Sequence, residues 1–90
     1  MLCSVIICTF NRAPLLRRAL EALEHQTLAP DQYEILVVND GSTDHTATVC
    51  EEMRARLPGL RCIAMPRNVG HAASCNEGVR AARGEYILFT

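Results

Sequence analysis

Lysine is absent from this sequence: all nine cationic side chains among the 90 residues are arginine. That excludes a Schiff-base lysine and a Walker-A phosphate loop, both of which need an ammonium group. Tryptophan is absent as well, and two Phe with two Tyr leave little aromatic surface for stacking on single-stranded nucleic acid. An excess of one charge is also missing. Nine Arg stand against ten Asp and Glu for a net charge of −1, so no strong field favours nucleic acid, and none is expected as a partner. No apolar run approaches the roughly 20 residues that cross a bilayer. The N-terminus lacks the basic head and cleavage site of a signal peptide, and a cytoplasmic protein is the expectation.

The five cysteines (Cys3, Cys8, Cys50, Cys62 and Cys75) include no CxxC pair, and their number is odd. Neither a zinc ribbon nor a closed disulfide framework is indicated. They read as small buried hydrophobes in a reducing compartment. His25, His45 and His71 have no second ligand at metal spacing, and read as surface or capping residues.

What is present is a regular alternation of two hydrophobic periods, with no repeat, linker or low-complexity stretch. Four short apolar runs, Leu2–Thr9, Glu34–Asn39, Leu60–Met65 and Glu85–Thr90, have the continuity of strands covered on both faces. Helical patterns lie between them. Residues 11–26 carry a stripe of Leu15, Leu16, Ala19, Leu20 and Leu23, with Asn11 or, given Pro14, Ala13 at the cap. A second helix is predicted from Ser42–Asp44 to Pro58-Gly59, with Ala47, Cys50, Met53 and Leu57 inward. A third runs from His71 to Ala82, its early part small enough for close packing on a sheet. The order β-α-β-α-β-α-β with right-handed crossovers gives an α/β fold: a Rossmann-like, doubly wound parallel sheet in a single domain, with strand order 3-2-1-4 expected. Ligands of such sheets bind outside the carboxyl ends of the strands.

Three loops therefore carry the candidate site. Thr9, Phe10, Asn11 and Arg12 offer a hydroxyl, an aromatic face, an amide and a guanidinium at a helix N-terminus, a cradle for a planar base and an anionic tail. An ordinary capped strand-to-helix turn uses the same residue types. After the second strand, Asn39-Asp40-Gly41-Ser42-Thr43-Asp44 sets a carboxylate where it could accept from a ribose hydroxyl or a base N–H. Asp44 suits helix capping, and Asp40, as a strand-end residue with little core area, is expected to be dispensable for folding. After the third strand, Asn68 and Gly70 suit either a plain turn or one whose N–H groups face a phosphate. No G-x-G-x-x-G follows the first strand, so an ordinary NAD site is not indicated.

Taken together, these segments resemble the N-terminal, donor-binding half of the family-2 glycosyltransferases, which have the GT-A fold. The family pattern runs S-V-I-I-P-T-Y-N-R, then E-I-I-V-V-D-D-G-S-x-D-x-T, then N-x-G-x-x-x-A-R-N-x-G, then A-x-G-x-Y-I-x-F. Here Ser4–Arg12, Glu34–Asp44 with Thr46, Asn68, Gly70, Asn76, Gly78, Ala82, Gly84, Tyr86, Ile87 and Phe89 match it in order and spacing. The resemblance implies a nucleoside-diphosphate sugar donor, most often a UDP-sugar, and inverting transfer to an acceptor hydroxyl. Thr9–Arg12 would hold the nucleoside, Asp40 the base, and Asn68–Gly70 would lie near the phosphates. It also implies a divalent metal, Mn2+ or Mg2+, held by a D-x-D motif that in the family follows the strand ending here at Phe89. That motif and the catalytic base fall outside residues 1–90. The chain therefore reads as a partial GT-A domain that is expected to be inactive alone, and membrane association of the full-length form is compatible with this reading.

Three departures from the pattern matter most. Asn39 stands where the family has its first Asp, Cys8 where it has Pro, and Cys75 where it has the Arg before Asn76. From other functional classes, the same loops fit a stand-alone nucleotide-binding module or a purely structural α/β domain. The last apolar strand would have one open edge, through which a second copy could pair.

Overall fold

The computed structural model describes residues 1–90. Its elements are β1 (Cys3–Thr9), α1 (Ala13–Leu23), β2 (Tyr33–Asn39), α2 (Thr46–Arg54), β3 (Leu60–Ala64), α3 (His71–Ala81) and β4 (Tyr86–Phe89). All pairings are parallel, as the alternation of periods predicts, and the strand order is the expected β3-β2-β1-β4. Thr9 of β1 lies beside Asn39 of β2, and Asn39 beside Ala64 of β3. Three strand ends thus form one carboxyl edge, from which the three candidate loops emerge. No helix is long and apolar enough to cross a membrane.

Alternation along the strands divides the core. On one face Val5, Ile7, Ile35 and Val37 pack with Leu16 and Leu20 of α1 and with Val49, Cys50 and Met53 of α2. On the other, Ile6, Leu36 and Val38 meet α3. The contact with α3 is close because Gly78 has no side chain: a Cβ there would come within 2.7 Å of Ile6 Cγ2.

The structure moves several boundaries. α1 starts at Ala13, Leu15 points to solvent, and α2 starts only at Thr46. The reason is that Ser42, Thr43 and Asp44 use their backbone N–H groups on Asn39 and Asn11 side chains, holding that segment as a loop. Val49, not Ala47, takes the inward position in α2. Of the cysteines only Cys50 is buried; the other four are half-buried near strand ends or the sheet periphery.

Strand β4 is not covered on either face. Tyr86, Ile87, Leu88 and Phe89 are all exposed, Tyr86 at 66%, because the helices pack over β1, β2 and β3. An apolar edge of this kind pairs readily with another chain. Sedimentation at roughly tens of micromolar, a range suited to weak interfaces, is expected to show self-association that Leu88→Glu abolishes. A monomer at that concentration refutes the expectation.

At the amino end of the α3 face sits a buried carboxylate. Glu34, 3% exposed, accepts from Ser4 Oγ at 2.6 Å, from the Arg83 N–H at 2.6 Å and from Arg61 at 2.7 Å. Ser4 Oγ in turn accepts from the Gly84 N–H at 2.8 Å, tying the start of β4 to β1. Burial alone would raise the Glu34 pKa. The Ser4 hydroxyl, the Arg83 N–H and the Arg61 guanidinium outweigh it and hold the carboxyl below its ordinary value. A depressed folded-state pKa contributes stability above the unfolded value of about 4.3 and loses it as pH falls through the folded value. Thermal melts are therefore expected to be flat at neutral pH and to drop steadily below about pH 4.5. Glu34→Gln should melt several degrees lower at pH 7 and show a shallower acid slope; an unchanged slope means the network is not what titrates.

Candidate functional site

The carboxyl edge is built by side chains that accept backbone N–H groups from neighbouring loops. Asn11 has φ +51°, in the left-handed region that Asn tolerates. In that conformation its Oδ1 accepts from the Thr43 N–H at 2.7 Å and the Asp44 N–H at 3.3 Å, while its own N–H donates to Ser42 Oγ at 2.9 Å. Asp44 bridges two helix starts. Oδ2 accepts from the Ala13 N–H at 3.1 Å, capping α1 from another loop, and Oδ1 accepts from the Thr46 N–H at 3.0 Å at the start of α2. The Thr46 hydroxyl, ahead of the Ala13 and Thr46 N–H groups, holds the Asp44 carboxyl below its ordinary pKa.

Asp40 holds the third loop. It is 4% exposed, and its two oxygens accept from the Val69 N–H at 2.8 Å and the Gly70 N–H at 3.0 Å. The Val69 bond is foremost in holding its pKa below the usual carboxylate range against the effect of burial. Ser74 Oγ, fully buried nearby, makes no hydrogen bond of full geometry, yet lies near enough to add to the effect. The expectation that Asp40 is dispensable for folding is corrected here: without it two N–H groups at the head of α3 lose their acceptors. Gly41 completes the arrangement. Its φ is +72°, and a Cβ would lie 2.4 Å from the Asn68 nitrogen and 2.5 Å from the Arg67 carbonyl carbon. Only glycine allows the second loop to touch the third.

Between the loops lies a cavity of about 550 Å³ lined by Cys8, Thr9, Phe10, Arg12, Asp40, Asn68, Gly70, His71 and Ser74. That volume is ordinary for a small-molecule site. Of the sequence-predicted residues, Thr9, Phe10, Arg12, Asp40, Asn68 and Gly70 come together here. Asn11 and Asn39 do not line it; Asn39 Oδ1 accepts from the Ser42 N–H at 3.0 Å, so both amides serve the loops behind the cleft. Cys8, His71 and Ser74 line it without having been singled out for it. The helical spacing of His71 and Ser74, first and fourth residues of a helix starting at the carboxyl edge, is the signal that could have found two of them.

Chemically the cleft joins an exposed aromatic ring, Phe10, to a cationic end. Arg12 enters no ion pair, and α3 begins at His71 on the cleft wall, where first-turn N–H groups lack intrahelical partners. A planar group beside an anionic group fits this layout. A divalent metal does not. No three His, Cys, Asp or Glu side chains come together to hold an ion, and Asp40 is the one carboxylate in the cleft lining.

An open parallel sheet whose polar cleft lies at the carboxyl edge, over a helix N-terminus, belongs to the doubly wound α/β proteins, whose ligands bind outside the carboxyl ends of the strands. The family model for glycosyl transferase family 2 matches residues 4–90, and the chain belongs to that family. Validoxylamine A glucosyltransferase of Streptomyces hygroscopicus subsp. limoneus is 38% identical over 88 residues, 98% of this chain and 19% of the relative. S. aureus TarS 1-349 in complex with UDP-GlcNAc superposes with a TM-score of 0.94 at 32% identity, over 100% of this chain and 26% of that one. The Pyrobaculum calidifontis mannosyltransferase PcManGT, in complex with GDP-Man and Mn2+, gives 0.88 at 30% identity, over 94% and 25%. The fold expected from the GT-A resemblance is thus observed. The chain spans 10% to 30% of the length of the curated relatives it matches.

Gly41→Ala tests whether the loops depend on their close approach. A left-handed φ in a residue with a Cβ costs about 1–2 kcal/mol, and the overlap with the Arg67–Asn68 backbone adds to it. A fall in Tm of about 8 °C or more is expected from thermal melts. A parent-like Tm would mean that the two loops separate freely.

Proposed function

We propose that the cleft binds the nucleoside diphosphate of a sugar donor, most favourably a UDP-sugar, for inverting transfer of the sugar to an acceptor hydroxyl. The observation that carries this reading is the cleft itself: Phe10, Arg12 and the head of α3 line one cavity of about 550 Å³. It lies in a chain whose fold superposes on a UDP-GlcNAc-bound relative.

In this reading Phe10 supplies an apolar face for the base and Thr9 bounds the nucleoside side. Arg12, Asn68, Gly70 and the first N–H groups of α3 meet the diphosphate, which carries the charge that a guanidinium and a helix N-terminus favour. Asp40 acts in two ways. It holds Val69 and Gly70 in place, and its remaining lone pairs could accept from the imide N–H of uracil, a donor that cytosine lacks. Asn39, in contrast, contributes by positioning Ser42.

Calorimetric titration of the chain with UDP tests the proposal. Arg12→Ala should weaken binding about tenfold or more, the loss expected for one charge-assisted contact, with an unchanged Tm because Arg12 has no ion-pair partner. CDP should bind more weakly than UDP. Absence of UDP binding by the folded parent chain, or equal binding by Arg12→Ala, overturns it.

A further inference from the structure

Two of the residues that depart from the family pattern meet in space. Cys8, near the end of β1, and Cys75, in the second turn of α3, place their sulfurs 3.1 Å apart. A disulfide bond is about 2.05 Å, so roughly 1 Å of closure separates this contact from a covalent bond. His71 Nε2 lies 3.5 Å from Cys75 Sγ, one helical turn earlier. Cys8, His71 and Cys75 also line a second cavity of about 480 Å³ adjoining the cleft, with Ile6, Phe89 and Thr90, so small solutes can reach the pair. The family pattern of Pro and Arg at these two positions holds no thiol, so the fold does not demand this contact.

We propose that Cys8 and Cys75 form a reversible redox site beneath the cleft, oxidised by a hydroperoxide to an intramolecular disulfide. In the first step the Cys75 sulfur gives up its proton and attacks one peroxide oxygen. An S–O bond forms, the O–O bond breaks, and the other oxygen leaves with the proton as an alcohol or, from hydrogen peroxide, as water. Cys75 is then a sulfenic acid. In the second step the Cys8 sulfur attacks Cys75 Sγ, the S–O bond breaks, and the departing hydroxide takes the Cys8 proton as water. The sum is two thiols and one hydroperoxide giving one disulfide, one alcohol and one water. A dithiol reverses it by exchange.

The roles follow from the environments. Burial, and next the Cys75 thiol, push the Cys8 pKa up to about 12. Cys8 therefore keeps its proton until the leaving group needs it. Cys75, beside the exposed His71, meets the oxidant first. The bond would fasten the second turn of α3 to the end of β1, fixing the wall that carries His71 and Ser74.

The absence of lysine makes the product easy to map. Trypsin cuts after Arg12, Arg67 and Arg80, so Cys8 falls in Met1–Arg12 and Cys75 alone in Asn68–Arg80. After brief treatment of the chain with hydrogen peroxide and alkylation of remaining thiols, mass spectrometry is expected to show these two peptides joined, with the loss of two hydrogens. Fragmentation should place the bond at Cys8 and not at Cys3, and dithiothreitol should separate the peptides. In Cys8→Ala, Cys75 should instead accumulate as a sulfenic acid that dimedone labels. Three results on the parent chain overturn the proposal, and none requires a variant to fold: Cys75 carried to sulfinic acid without a cross-link, a disulfide only at Cys50–Cys62, or bonds only between chains.

Discussion

A carboxylate at a strand end, accepting two backbone N–H groups from a loop almost thirty residues further along, is the constraint on which this molecule's cleft rests. Asp40 leaves β2 between two neighbouring strands, and a loop is a poor place for unpaired donors. By taking the Val69 and Gly70 N–H groups it fixes where α3 begins, and the start of α3 is the cleft wall. Asn11 and Asp44 repeat the device on the other side, joining the loop after β1 to that after β2. The cleft's walls are therefore placed by side chains that accept from backbone, leaving Phe10 and Arg12 free of structural duties.

The division of labour between neighbouring residues follows from strand alternation. Asp40 falls on the α3 face with Cys8 and Val38, where it meets the third loop, while Asn39 falls on the other and turns to Ser42. A carboxylate at position 39 would add charge behind the cleft. The amide found there satisfies one N–H without it. In the same way the Glu34 network closes the far end of the α3 face, where Ser4, Arg61 and the chain entering β4 converge. The sheet's polar groups on this face are gathered at its two ends, with Ile6, Leu36 and Val38 between them.

Much of this is legible in the residue pattern. The continuous runs of β1 and β2 announce buried parallel strands, and the short apolar stripes announce crossover helices. Six of eight candidate site residues line the cleft because a strand-to-helix loop in such a sheet has only one edge to occupy. What was not legible depends on contacts between segments far apart in sequence. Nothing local distinguishes Asn11 as a loop bridge from Asn11 as a helix cap, since both use the same side-chain oxygen. Leu15 fits the helical stripe by spacing, yet only Ala13, Leu16 and Leu20 of α1 are buried and Leu15 is left in solvent. The meeting of Cys8 and Cys75 depends on the rotation of α3, which Gly78 and the loop geometry decide.

The two faces of the sheet are unequal. Thirteen buried residues lock α1 and α2 to one side, whereas α3 rests on three. Free energies of local opening follow such differences in buried contact, and the least secured element opens first. Amide protons of α3 should thus exchange with solvent through a partial opening that leaves β1, β2 and the opposite helices folded. The wall of the cleft thus rests on the smaller of the two buried clusters, and any ligand or bond that spans β1 and α3 acts as a clasp on that motion.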